Sequence, residues 1–115
     1  MPIYKAPLRD MQFTLNEVLA ANTFWQNTPK LSHVDGDTVN AILEAMAQFS
    51  EDILLPINRS GDEEGCTFNN GVVTVPTGFK EAFKQYAEGG WIGLGAEEEF
   101  GGQSMPKMLT VLTDE

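Results

Sequence analysis

DGDTVNAILEAMAQFSEDIL, residues 35–54, is the stretch on which the reading of the fold turns. Val39, Ile42, Leu43, Met46, Phe49, Ile53 and Leu54 fall at i, i+3, i+4, i+7, i+10, i+14 and i+15. That spacing predicts one apolar stripe along a helix of more than four turns. Asn40, Glu44, Gln48, Glu51 and Asp52 take the opposite side. Asp35 and Asp37 suit the start, since a short side-chain carboxylate caps free N–H groups and complements the positive end of the helix dipole. Because the stripe is unbroken, Met46 and Phe49 read as core rather than as a cofactor box. Pro56 should kink or end this helix, leaving Ile57 to Arg59 as a last distorted turn. Ser60 to Gly65 then reads as a solvated polar loop; its acids lack the alternation of oxygen ligands that a twelve-residue calcium loop needs.

Further along, Cys66 to Pro76 carries a hairpin signal. Asn70-Gly71 supplies two positive-φ positions between short β-prone runs. Such a ribbon is marginal alone and is expected to lie on helices. Pro76 and Thr77 open a third helix with Phe79, Ala82, Phe83 and Tyr86 on one face, ended by Gly89-Gly90. Residues 90–102 hold five glycines and Trp91, which predicts a tight loop whose backbone packs closely. Gly93-Leu94-Gly95 is not a dinucleotide fingerprint: no strand precedes it, the third glycine is misplaced, and Glu97-Glu98-Glu99 would repel a pyrophosphate. Pro106 suits the first turn of a last helix, with Met108, Leu109, Leu112 and Val111 as its apolar face. With no C-terminal signal before Glu115, that face is expected to be uncovered and the chain to be cut within a longer protein.

Upstream, residues 1–8 hold Pro2 and Pro7 and should be extended. Met11, Leu15, Val18, Leu19 and Ala21 recur at helical spacing, and residues 22–34, rich in Asn, Thr, Pro and Ser, read as a connector pinned to the body by Phe24 and Trp25. The fold class is therefore mostly α: a small domain of about four helices with one short β-hairpin. Its length of 115 residues allows one modest core.

Charge and chemistry narrow the function. Seven Lys and Arg face seventeen Asp and Glu, for a formal net charge of -10. Such a surface repels phosphate backbones and anionic headgroups, which argues against nucleic acid, membrane surfaces and the main phosphate site of coenzyme A. No apolar run approaches a membrane span, and the N-terminus has no secretory h-region, so a cytoplasmic setting is the simplest expectation. Cys66, the sole cysteine, reads as a small half-buried apolar residue, and the sole histidine, His33, as a surface loop residue; neither makes a catalytic pair or a metal site. Glu97 to Glu99 are adjacent like charges in a Gly-rich loop, which marks solvent contact rather than the fixed, dry site a general base needs.

Three separated motifs carry a family resemblance. Gly90-Trp91-Ile92-Gly93-Leu94-Gly95-Ala96-Glu97-Glu98-Glu99-Phe100-Gly101-Gly102, followed by Pro106, resembles the G-W-x-G-L-x-x-P-E-E-Y-G-G stretch of acyl-CoA dehydrogenases. Residues 4–19 resemble the extra N-terminal segment of one bacterial branch, which includes 3-methylmercaptopropionyl-CoA dehydrogenases. Pro56-Ile57-Asn58-Arg59-Ser60-Gly61-Asp62 resembles the P-x-N-x-x-G-D of the same branch. Glu97 stands where proline is usual, which should loosen the turn, and Phe100 replaces tyrosine, so any role of that hydroxyl is lost.

The resemblance implies an N-terminal helical domain, then a middle β domain and a C-terminal helical bundle, with FAD between the last two and an acyl-CoA thioester across the flavin. It divides this chain into residues 1–36, an extension with one helix and a connector, and 37–115, the helical domain. It implies no catalytic, cofactor-binding or metal residue here; Met108 and Leu112 alone fall at the acyl-pocket wall or interdomain face. The expected partners are the middle and C-terminal dehydrogenase domains, with acyl-CoA and FAD bound only by the full-length parent and this chain alone inactive. The alternative is a stand-alone acidic module that self-associates, as a homo-oligomer, or binds a dehydrogenase subunit through its last helix.

Overall fold

Asp35 starts the central element as its sequence suggests. In the computed structural model, which describes residues 3–115, Asp35 Oδ1 accepts the Thr38 N–H at 2.8 Å and Oδ2 accepts the Thr38 hydroxyl at 2.9 Å. These bonds hold the Asp35 carboxyl below its ordinary value of 3.8. Helix α3 (Gly36–Phe49) runs on through a single π turn (Ser50–Leu54) into α4 (Leu55–Glu64). The helix does not end at Pro56. Pro56 lies in the first turn of α4, and the wider π turn before it shifts the bonding register, so the missing N–H costs little. The expected polar loop at 60–65 is also helical, as far as Glu64. Arg59 Nε donates to Glu63 Oε1 at 2.9 Å one turn on, and Gly65, at φ 66°, ends the run. Gly61 is tolerated inside the helix because the Phe79 ring occupies the space a Cβ would need.

The N-terminal reading needs the same kind of correction. Met1 and Pro2 lie outside the described residues; residues 3–7 form no helix or strand, and α1 (Leu8–Phe13) continues as a π turn (Thr14–Val18). The supposed connector contains a helix, α2 (Ala21–Gln26), and a 3-10 turn (Pro29–Leu31). Asn, Thr and Ser are poor helix formers, but Ala21 and Trp25, four apart, are both buried, and that burial outweighs weak propensity. Trp25 is 1% exposed, whereas its neighbour Phe24 faces solvent.

The hairpin forms in the expected register. β1 (Thr67–Asn69) pairs antiparallel with β2 (Val72–Thr74), closed by Asn70 at φ 49° and Gly71 at φ 80°. It does not lie on helices: all six strand residues are exposed. Helix α5 (Phe79–Glu88) starts later than expected, behind Gly78 at φ 91°, and buries Ala82 while leaving Phe83 exposed. After a 3-10 turn (Glu98–Phe100), α6 (Lys107–Asp114) packs on α3.

One apolar cluster joins α1, α2, α3, the Gly-rich loop and α6 through Met11, Leu15, Trp25, Leu43, Leu94 and Leu109. The described residues measure 55 × 36 × 16 Å along their principal axes. The radius of gyration is 17.0 Å, against about 13 Å expected for a chain of this length. The accessible surface is 7963 Å², against roughly 6,200 Å² for a compact monomer of this mass.

Candidate functional site

Helix α6 is the element to which sequence reasoning assigned function. Leu109 is 0% exposed and anchors it to the core; Met108 and Leu112, one turn apart, are half-buried against the same cluster. Only Val111, 53% exposed, points away among its large apolar residues. The expected uncovered face is therefore mostly covered, with α3 as the packing partner.

Beside α6 lies an open cleft of about 410 Å³, bounded by Tyr4, Met46, Leu54, Leu55, Tyr86 and Thr113 among others. Leu112 lies just beneath, with Tyr4, Met11 and Met46. Residues 4–6 form a strap over this end. Glu51, turned outward in the π turn, accepts the Ala6 N–H and the Lys5 ammonium, each at 3.0 Å, which holds its carboxyl below the ordinary value of 4.5. Tyr4 Oη donates to Glu115 Oε2 at 2.5 Å. That bond, some burial and nearby carboxylates push the phenol from 10.0 up to about 12. The phenol must keep its proton to donate. The bond is therefore intact below pH 10.0 and lost as the pH rises through about 12. In a Tyr86→Phe variant, where Tyr4 is the only tyrosine, phenolate absorbance should rise near pH 12; titration at the ordinary value would count against the latch.

The Gly-rich loop that delivers α6 consumes its own polar groups. Gln103 N donates to Gly93 O at 3.0 Å, Gly102 N to Glu97 O at 3.1 Å, Ser104 N to Ala96 O at 2.8 Å and Met105 N to Leu94 O at 3.0 Å. His33 is exposed, and its Nε2 lies 3.2 Å from Ser104 O, within reach of the tautomer that donates there. With these amides spent and Glu97 to Glu99 exposed, the loop does not fit a flavin or nucleotide diphosphate. No charged or polar residue is wholly buried among the described residues, and no His, Cys, Asp and Glu group there could hold a metal ion. Cys66 is exposed rather than half-buried. No helix among the described residues is long and apolar enough to cross a membrane.

Comparison with known proteins decides the lineage. The chain is 32% identical over 109 residues to a 3-methylmercaptopropionyl-CoA dehydrogenase of Ruegeria pomeroyi, covering 92% of this chain and 18% of that protein. It is 30% identical over 111 residues to a broad-specificity linear acyl-CoA dehydrogenase of Mycobacterium tuberculosis, covering 95% and 18%. It belongs to the acyl-CoA dehydrogenase family. A butyryl-CoA dehydrogenase of Syntrophomonas wolfei is 29% identical over 90 residues, 76% of this chain and 15% of that protein. No family model matches. The chain thus spans less than a fifth of the length of these relatives, and corresponds to the N-terminal helical part of an acyl-CoA dehydrogenase.

The structure explains how the two departures from the acyl-CoA dehydrogenase motif are accommodated. Glu97 sits at φ -67°, the angle a proline ring would impose, so the turn survives without the ring. Phe100 is 79% exposed; a tyrosine hydroxyl there would meet solvent.

Proposed function

We propose that this chain serves as the N-terminal helical domain of a FAD-dependent acyl-CoA dehydrogenase, and that α6 helps wall the pocket for the acyl chain of a coenzyme A thioester. Residues 1–36 act as an extension and 37–115 as the domain proper. The alignment with two acyl-CoA dehydrogenases over 92% and 95% of the chain carries the reading. In support, Met108 and Leu112 share one half-buried face of α6, and Leu112 borders a small space with Tyr4 and Met46, two residues that also line the open cleft beside α6. The flavin and the carboxylate that removes the α-proton belong, on this reading, to the rest of a full-length protein. What these 115 residues contribute is an apolar wall, held in place by Leu109 and by the strap; positioning of that kind is a large part of catalysis for a substrate that must lie flat across a flavin.

A chimera tests this. In the Ruegeria pomeroyi relative, the matching segment is replaced by this chain. The chimera is expected to retain FAD and oxidise its thioester, while the 115-residue chain alone binds no FAD. Leu112→Trp in the chimera should raise KM for the longer of two acyl-CoA substrates at least about tenfold, the loss of roughly 1.4 kcal/mol of apolar contact, with little change for the shorter. A folded chimera without flavin would sink the domain assignment; an unchanged chain-length preference would sink the role of α6.

A further inference from the structure

We propose that Asn70 is a self-modification site, at which the chain's own backbone converts the side-chain amide to aspartate or isoaspartate with water as the only co-reactant. Asn70-Gly71 is the sole Asn-Gly pair in the sequence. Gly71 has no side chain to hinder its nitrogen, and nothing lies within 4 Å of where a Cβ would stand. Both residues are exposed, so hydroxide and water reach them. The Gly71 N–H is also free. No backbone hydrogen bond engages it among the described residues, whereas Asn69 and Val72 on either side are paired in the ladder. The turn sits on a two-stranded ribbon whose six residues are all exposed. Such a ribbon opens at small cost, which lets the backbone leave the left-handed turn and bring the nitrogen to the side-chain carbon. The other asparagines lack this combination. Asn16, Asn22, Asn40 and Asn58 stand inside helical turns, where the next N–H is held along the helix. Thr28 N, after Asn27, donates to Trp25 O at 3.1 Å. Asn69 is followed by a residue that carries a side chain. Asp35-Gly36 is the related acid pair, but Thr38 bonds both carboxyl oxygens of Asp35, and an ionised carboxylate is a poor target for attack.

The step balances without an oxidant or a reductant. The Gly71 nitrogen, stripped of its proton by hydroxide, attacks Asn70 Cγ. A bond forms between them, the Cγ–Nδ2 bond breaks, and ammonia leaves with a proton taken from water. The product is a five-membered imide, and its closure is favoured because both reacting groups sit on neighbouring residues. Water then opens the imide. Cleavage of the Cγ–N bond leaves aspartate in an ordinary backbone. Cleavage of the other C–N bond leaves isoaspartate, with the main chain running through Cβ and Cγ. Either product adds one negative charge to a formal net charge of -10. Aspartate before glycine keeps the turn. The extra methylene of isoaspartate instead breaks the two-residue geometry that sets Thr67 opposite Thr74.

Peptide mapping of the 115-residue chain by mass spectrometry, after incubation in mildly alkaline buffer, tests this. Residue 70 should exchange NH for O at least about tenfold faster than any other asparagine, which corresponds to about 1.4 kcal/mol in the barrier. The rate should rise with hydroxide concentration, and chromatography should resolve two products of equal mass, aspartate and isoaspartate. Helical circular dichroism should stay unchanged, since the turn touches no core. Gly71→Val shields the attacking nitrogen, so it should slow the loss at Asn70 at least about tenfold even though it loosens the turn. Equal rates at Asn70 and at the helical asparagines, aspartate without isoaspartate, or a Gly71→Val chain that reacts as fast as the parent overturns the proposal.

Discussion

Trp25→Ala is expected to leave the chain largely unfolded at 37 °C. Removing a buried tryptophan costs about 3–5 kcal/mol, from lost transfer energy plus the cavity left behind. A domain of this size has only about 5–15 kcal/mol to lose, and this one relies on a single apolar cluster. Trp25 is the largest side chain in the cluster that joins α2 to α1, α3 and α6, so its removal leaves the largest gap there. Trp25→Phe should cost much less, because the indole N–H has no hydrogen-bond partner to forfeit. Urea unfolding followed by far-UV circular dichroism measures both. Equal destabilisation by the two substitutions would show that volume at this position is not what matters.

Gly102→Ala is the second large effect, and it arises in the backbone. A Cβ there would run into the carbonyl of Ala96, a main-chain group that cannot swing aside like a flexible side chain. The loop would have to open, breaking the bonds from Gly102 N to Glu97 O and from Ser104 N to Ala96 O. The expected cost is about 3 kcal/mol, the upper end for overpacking. Gly101→Ala is the useful contrast: nothing lies within 4 Å of its added Cβ, and only its φ of +84° is strained, which costs about 1–2 kcal/mol. If Gly102→Ala proved milder than Gly101→Ala in the same urea experiment, close packing of this turn would be refuted.

The mostly helical class, the hairpin register and the Asp35 cap were legible because each rests on local rules: a 3.6-residue stripe, an Asn-Gly turn, a carboxylate before a helix. The misreadings share a cause. Residues 22–34 and 60–65 look like loops by composition, yet Trp25 is held by tertiary burial and Gly61 by the Phe79 ring, contacts that span long stretches of chain. Pro56 suggests a kink or an end because the ordinary register requires its N–H; the π turn changes the register. At the site, Met108 and Leu112 were named through likeness alone. The strap went unread, since nothing in Tyr4-Lys5-Ala6 announces Glu51 or Glu115 as partners. The exposure of the hairpin went unread for the opposite reason: β-prone apolar residues are expected to be covered, and all six strand residues here are exposed.

The Tyr4–Glu115 bond has a topological consequence. It brings Tyr4 and Glu115 within one hydrogen bond of each other, so the path of the described residues is nearly a ring. A linker of a few residues could close that ring without moving a helix, and the chain could be opened instead at Asn70-Gly71, whose turn is exposed and touches no core. The order of the helices along the sequence is, to that extent, separable from their arrangement in space.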